Sequence, residues 1–387
     1  MDVDEADAQA DLHARPWPER LRRFQEFTIG HPRLIEAKDK LISALRESAP
    51  ESIILVVGPS GVGKTTLRRK IEQLLAQELL TKLEADPGRL PVISVEAIAP
   101  DLGNFNWRDH FRRLLLEIDE LVINLQRSEG AGECGPRFLP FPRCSGADYR
   151  YAVEQALRCR RPSAVLIDEA QHLAKMQSGR KLLDQLDVIK SLASRTGIIH
   201  VLLGTYDLLA FRNLSGQLSR RSVDLHFSRD RADRADDRNV FLSVLRTFES
   251  QIPLPERPDL VANWEYLYER SIGCVGVLKE LLVKAVAAAL RQGETKLTRR
   301  HLEANSLSVA QCEKMLAEAK EGEQRLSSTD EATSQLRLSL GLNCRATRVT
   351  VVEDRGKKGH RGRPGQRHPR RDPIGRSKFA GVAHGAP

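Results

Sequence analysis

The 387-residue sequence contains no Cys-x-x-Cys pair. Its six cysteines stand singly, at 134, 144, 159, 274, 312 and 344, which offers no zinc-ligand or dithiol spacing and reads as free thiols in a reducing compartment. No apolar run reaches the roughly 20 residues that a membrane-spanning helix needs. The acidic stretch from Met1 to Asp11 has no apolar core, so a secretory signal is not expected. No repeat of 20–50 residues is evident, which sets aside solenoids and propellers. Before residue 355 there is no charge excess either, because 51 basic side chains meet 51 acidic ones. From Arg355 to Pro387 ten Lys/Arg face one acid, Asp372, so the whole formal charge of +9 sits there.

What is present is a globular composition, 41% hydrophobic and 29% charged, long enough for one large domain or two smaller ones. The most informative stretch starts at Ile53. The branched apolar run Ile53 to Val57 reads as a strand buried on both faces. It breaks into Gly58-Pro59-Ser60-Gly61-Val62-Gly63-Lys64-Thr65, which fits the phosphate-loop pattern without a mismatch. Thr66 and a helix-forming run from Leu67 to Leu80 follow. Glycines there let backbone N–H groups turn inward around a phosphate at the positive end of the helix. Lys64 is placed to reach the terminal phosphates of ATP, and the Thr65 hydroxyl to ligate magnesium.

The chain before the first strand reads as an arm, Trp17 to Phe27, and an amphipathic helix, Arg33 to Glu47, with Leu34, Ala37, Leu41 and Leu45 on one face. Gly30-His31-Pro32 between them is either a segment that packs on the nucleotide base or a helix-starting turn. After the first helix, Pro91 to Ile98 reads as a second strand and Asn104 to Asn124 as a helix carrying Trp107, Phe111, Leu114, Leu115 and Ile118. Arg108, Arg112 and Arg113 on that helix are either solvated or face DNA phosphates. Residues 126–146 are glycine- and proline-rich and read as a loop or insertion.

A helix from Tyr149 to Cys159 leads to the next strand, Ala164 to Asp168, which ends in two carboxylates. In a phosphate-loop fold Asp168 holds magnesium through water and Glu169 orients or deprotonates the attacking water. The helix 178–194 shows core spacing at Leu182, Leu186, Ile189 and Leu192. Gly197 to Gly204 is a fourth buried strand, and Thr205 at its end is either a polar group placed to sense the terminal phosphate or an ordinary strand-terminating threonine. Arg220 and Arg221 precede a fifth strand, Val223 to Phe227, and are either a solvated pair or a finger pointed into a neighbouring subunit's nucleotide. From Arg231 the periodicity is helical, at about 235–250, 258–270, 275–292 and 298–305, and beyond Ala310 it fades. Residues 355–378, rich in Gly, Arg and Pro, have nothing to bury.

This order of elements resembles an AAA+ ATPase, and more narrowly the TniB/TnsC-type ATP-binding proteins of transposons. The resemblance rests on Gly30-His31-Pro32, Gly58 to Thr65, Trp107-x-x-x-Phe111, Ile167-Asp-Glu-Ala-Gln-His-Leu173, Leu203-Gly-Thr205 and Gln217-Leu-Ser-Arg-Arg221, over roughly residues 27–305. It implies a parallel α/β domain at 27–230, a helical lid at 231–310, an arm at 1–26 and a low-order basic tail at 311–387. It implies that Gly58 to Thr66 with His31 and Pro32 bind ATP, Thr65 and Asp168 hold magnesium, and Glu169, Lys64 and Thr205 serve hydrolysis. Arg220 or Arg221 would act on a neighbouring copy. The implied partners are duplex DNA with little sequence preference, further copies in a ring or filament, a transposase and a targeting protein, in a cytoplasmic, nucleoid-associated setting without a membrane. One departure is visible: many AAA+ lids carry Gly-x-x-Arg where this chain has Gly273-Cys-Val-Gly276. The same motifs also suit an AAA+ loader or initiator in replication or repair, or a nucleotide-gated adaptor in which hydrolysis is dispensable.

Overall fold

The computed structural model describes residues 15–86, 88–100, 105–128, 145–174, 180–212, 222–327 and 330–342. The chain divides into two compact units, Met1–Ser327 and Ser328–Pro387. Within the second, the described residues form one helix, Asp330–Ser339.

The first unit is built on five parallel strands in the order β2-β3-β4-β1-β5. They are β1 (Ile53–Val57), β2 (Ile93–Glu96), β3 (Ala164–Asp168), β4 (Ile199–Gly204) and β5 (Ser222–His226). Every residue of β1, β3 and β4 is buried, as the uninterrupted apolar runs require of strands covered on both faces. Side chains alternate across β1. Ile53, Leu55 and Val57 join one core with helices Trp107–Ser128, Gly146–Arg160 and Arg180–Thr196. Ile54 and Val56 join a second core with helices Pro32–Glu47 and Lys64–Glu78. Register places Val57 beside Gly204 of β4 and His226 of β5, so the carboxyl ends of the three strands align.

The first of these cores seals in two histidines. His200, on β4, is fully buried, and burial pushes its pKa down to about 4 against the pull of its contact with the Ile198 carbonyl. His110 lies among Phe105, Trp107 and Phe111, and burial first and the neighbouring His200 second bring it to about 4 as well. Both rings are therefore neutral at physiological pH.

A third core is helical. Ala235–Gln251, Trp264–Ser271, Val275–Gln292 and Arg299–Asn305 bury Phe241, Leu245, Phe248, Leu278, Leu282 and Leu302 together. The expected helix start at 258 moves to 264, because Glu249 accepts the backbone N–H groups of Leu260 and Val261 and holds that stretch as a turn. The N-terminal arm is a helix, Trp17–Glu26, whose Phe24 is buried in this third core.

The chain stays ordered past residue 310, where the apolar periodicity fades. Val309–Leu326 is an 18-residue helix opened by a capping box between Ser308 and Gln311. It buries Cys312, Ala319 and Gly322. Residues 343–387, which hold the basic tail, lie outside the described residues, as do the arm residues 1–14. Among the described residues no helix is long and apolar enough to cross a membrane.

Candidate functional site

In a parallel sheet, ligands bind beyond the carboxyl ends of the strands. Here four turns converge there: the glycine loop after β1, Glu169 after β3, Thr205 after β4 and Phe227 after β5. The loop is stitched to its neighbours, with Gly58 N–H donating to the Gly204 carbonyl (3.3 Å) and Phe227 N–H to that of Val57 (2.8 Å). Gly61 and Gly63 have φ of 75° and 112°, the left-handed region open to glycine. Gly63 opens the helix Lys64–Glu78 with no side-chain cap, so the first N–H groups of that helix lack an internal acceptor. That is the donor set an anionic phosphate group satisfies.

Lys64 is 7% exposed. Burial lowers its pKa, opposed by the charges of Glu169 and Asp168. Its ammonium group donates to the carbonyls of Gly58 (3.0 Å) and Pro59 (2.9 Å), so it already points into the loop. Thr65, Asp168 and Glu169 share the walls of one cavity of about 620 Å³ with Arg68 and Glu72. A hydroxyl and a carboxylate facing one cavity suit a hard cation such as magnesium, whose remaining ligands are phosphate and water. Among the described residues no cluster of three acidic, histidine or cysteine side chains offers a complete metal cage.

Two partners of the acidic pair were not legible in advance. Arg68 donates to Asp168 (3.2 Å) and also pairs with Glu72. Gln171 donates to Glu169 and accepts from the backbone N–H of Thr205 (3.2 Å). Glu169 itself has φ of 51°, a left-handed conformation uncommon outside glycine. The Thr205 hydroxyl donates to Asp207 (3.3 Å).

The helical region closes over the loop. Gly276 N–H, in the first turn of Val275–Gln292, donates to the Gly61 carbonyl (2.8 Å). A side chain at 276 would sit 2.4 Å from that oxygen, and one at 61 would meet Val277. Ile272, Cys274, Val277 and Cys312 form a small core beside this contact. The helix Val309–Leu326 completes the wall. Gly322 lies against the Tyr206 ring, and Met315, Glu318 and Arg325 share a cavity of about 220 Å³ with Pro59, Ser60 and Thr205. Arg229 anchors the junction, donating to Glu323 (2.9 Å) and to the Ile272 carbonyl (3.2 Å).

His31 is 6% exposed. It contacts Asp230 (2.9 Å) through Nε2 and caps its own helix by accepting the Arg33 N–H at Nδ1. Pro32 is the first residue of that helix. Arg33 joins Asp230 (2.9 Å) and Asp237 (2.6 Å), so this segment ties the sheet domain to the helices. Lys279, one turn beyond Gly276, donates to the Gln25 and Phe27 carbonyls and thereby fastens the arm, away from any sensor role.

Arg112 and Arg113 are about half exposed and pair with Asp109 on their own helix, and Arg108 lies over the Tyr149 ring (6.0 Å). Arg220 and Arg221 lie outside the described residues. A cavity of about 1200 Å³ is walled by the helix Pro32–Glu47 and β5, and none of the loop residues lines it.

Residues 47–211 match the family described as AAA domain, which is less than half of the chain and contains the loop, both acids, Gln171 and Thr205. No curated protein matches the sequence. Solved structures similar to it include the Walker-type ATPase PABY2304 of Pyrococcus abyssi, at 18% identity, 75% coverage of each chain and a TM-score of 0.43. The Aeropyrum pernix ORC2 protein in its ADP form matches at 15% identity over 73% of this chain and 71% of that one, with a TM-score of 0.47. The Aeropyrum pernix ORC1 protein in complex with DNA matches at 21% identity over 70% and 63%, with a TM-score of 0.44. The stretch from residue 47 to 211 thus matches the AAA domain family, and a glycine loop after β1 of a five-stranded parallel sheet gives it the P-loop α/β fold.

Proposed function

We propose that the chain is an ATP-hydrolysing regulator of DNA transposition that assembles on duplex DNA when it holds ATP. The observation that carries the ATPase part is the alignment of an uncapped helix N-terminus and the buried Lys64 after β1 with the pair Asp168–Glu169 at the end of β3, the two strands that flank β4. ATP lies along the loop with its terminal phosphates at Lys64; Thr65 and Asp168 would hold a magnesium ion, which would supply charge neutralisation at the phosphates. Glu169 takes a proton from the attacking water as its oxygen bonds to the γ-phosphorus and the bridging P–O bond breaks, giving ADP and phosphate. Arg220 or Arg221 of a neighbouring copy supplies positive charge to the γ-phosphate. Thr205 reads the loss of that phosphate.

The transposition part is supported by the TniB/TnsC-like pieces at Gly30-His31-Pro32, Trp107-x-x-x-Phe111 and Gln217 to Arg221. Its partners on this reading are a transposase and a targeting protein, with Arg108, Arg112 and Arg113 facing DNA phosphates inside the assembly. Electron microscopy with duplex DNA and a slowly hydrolysed ATP analogue tests it. The expected images are rings or helical filaments that need both ligands. A monomer under saturating DNA and nucleotide overturns the proposal. A replicative helicase or clamp co-purifying in place of a transposase transfers the same machine to loading or initiation.

A further inference from the structure

The Gln171 carboxamide is buried between two strand ends and has a distinct partner on each side. Its oxygen accepts the Thr205 N–H (3.2 Å), which fixes which way the amide lies. The amide nitrogen then faces Glu169 and donates to Oε2 of its carboxylate. The turn carrying Glu169 is pinned twice more: Glu169 N–H donates to Asp168 Oδ1 (2.9 Å), and Ala170 N–H to the Leu203 carbonyl (2.9 Å). The approach is possible because residue 204 is glycine. A methyl group there would sit 2.4 Å from Gln171 Oε1, 2.9 Å from Leu208 and 3.1 Å from the Gln171 backbone nitrogen.

We propose that Gln171 is a positioning residue that sets the orientation of the Glu169 carboxylate and links it to the end of β4 at Thr205. This rests on the reading of Glu169 as the group that activates water. A carboxylate on a left-handed turn has several side-chain orientations open to it, and one donated hydrogen bond selects among them. Because the other end of the same amide is held by Thr205 N–H, a shift of that strand end on phosphate binding or release moves the carboxylate with it. The bond geometry makes the two strand ends one unit for hydrolysis, while nucleotide binding stays with the loop after β1.

The test is a kinetic cycle on the full chain with Gln171→Met, Glu169→Gln and the double variant, using single turnovers with protein in excess over ATP. Affinity for a fluorescent ADP is measured beside each. Methionine keeps the length of glutamine and removes both hydrogen bonds. Gln171→Met is expected to lower kcat about tenfold, a part of the 10²–10⁴-fold a general base supplies, with nucleotide affinity within about twofold of wild type. In the Glu169→Gln background the same change is expected to add no further loss, since residues acting through one another are not additive. Wild-type kcat in Gln171→Met overturns the proposal, and so does a loss that multiplies in the double variant. Should Gln171→Met fail to bind nucleotide, Gly204→Ala decides: a similar fall in kcat supports the link, and an unchanged kcat overturns it. Wild-type turnover by Glu169→Gln is a separate result, which removes the role of Glu169 itself and the proposal with it.

Discussion

The loop wall and the lid wall of the cleft meet at backbone distance, through Gly276 N–H and the Gly61 carbonyl, yet they are held by different means. On the sheet side the loop, the acids and Thr205 hang from consecutive parallel ladders whose strands are buried on both faces. On the lid side one helix N-terminus, one small core around Ile272 and Val277, the Arg229–Glu323 pair and the ties of His31 and Arg33 to Asp230 and Asp237 make the junction. The first wall owes its rigidity to many cooperative backbone bonds. The second rests on a handful of contacts, each exposed to a single substitution. On the proposed function, chemistry belongs to the sheet wall and opening to the lid wall, because segments with few contacts open at lower free energy.

The sharpest way to break that contrast is Glu169→Gln on the sheet wall. It should lower single-turnover hydrolysis by about 10²–10⁴-fold while leaving nucleotide affinity and the melting temperature near wild type. A loss of affinity as large as the loss of rate would merge the two walls into one. On the lid wall, Arg229→Met strands Glu323 without its partner. Removing one partner of a part-buried, charge-assisted hydrogen bond costs about 1–3 kcal/mol, read as a fall in denaturant midpoint. A change confined to hydrolysis, with stability untouched, would refute the anchoring role.

Next comes pH, which probes the sheet wall alone. His110 and His200 have pKa values brought to about 4 from 6.5, so the unfolded chain binds protons that the folded chain refuses. Their contribution is complete above about pH 6.5, shrinks as pH falls and is gone near pH 4. At about 1.36 kcal/mol per pH unit, each ring accounts for roughly 3 kcal/mol. Urea melts between pH 7 and 4 should show the decline, and His200→Met should flatten part of it. The smallest effect is expected from Gly276→Ala, whose methyl would press on the Gly61 carbonyl at 2.4 Å. Overpacking of this kind costs about 1–3 kcal/mol. It should appear as weaker nucleotide binding with an intact sheet.

Much of the sheet wall was legible because strands covered on both faces are mostly apolar, with His200 and the terminal Asp168 as the exceptions here. Ile53–Val57, Ala164–Asp168 and Ile199–Gly204 announce themselves in that way. The glycine loop was equally plain, since few residue types can follow its backbone. The links between motifs were not. Gln171 reaches Thr205 across 34 residues and Arg68 reaches Asp168 across 100, and no local pattern encodes such distances. His31 was open to two readings. The structure engages its ring with Asp230 and the Arg33 N–H, and packing of this segment on a nucleotide base remains a proposal.

The helix Val309–Leu326 escaped periodicity for a simple reason. Its buried positions are Cys312, Ala319 and Gly322, too small to register as a hydrophobic stripe. Small residues serve there because the helix must lie close: a Cβ at 322 would come within 2.0 Å of the Tyr206 ring, one residue after Thr205.

That closeness bears on where the domain can be cut. A fragment trimmed at residue 310 would retain every nucleotide motif and still lose the back panel of its own catalytic chamber. Tyr206 and Ile272 would be laid open to solvent, and Arg229 would be left without Glu323. The smallest piece able to keep its ATP chemistry dry therefore ends beyond Leu326, well past the last recognisable signature.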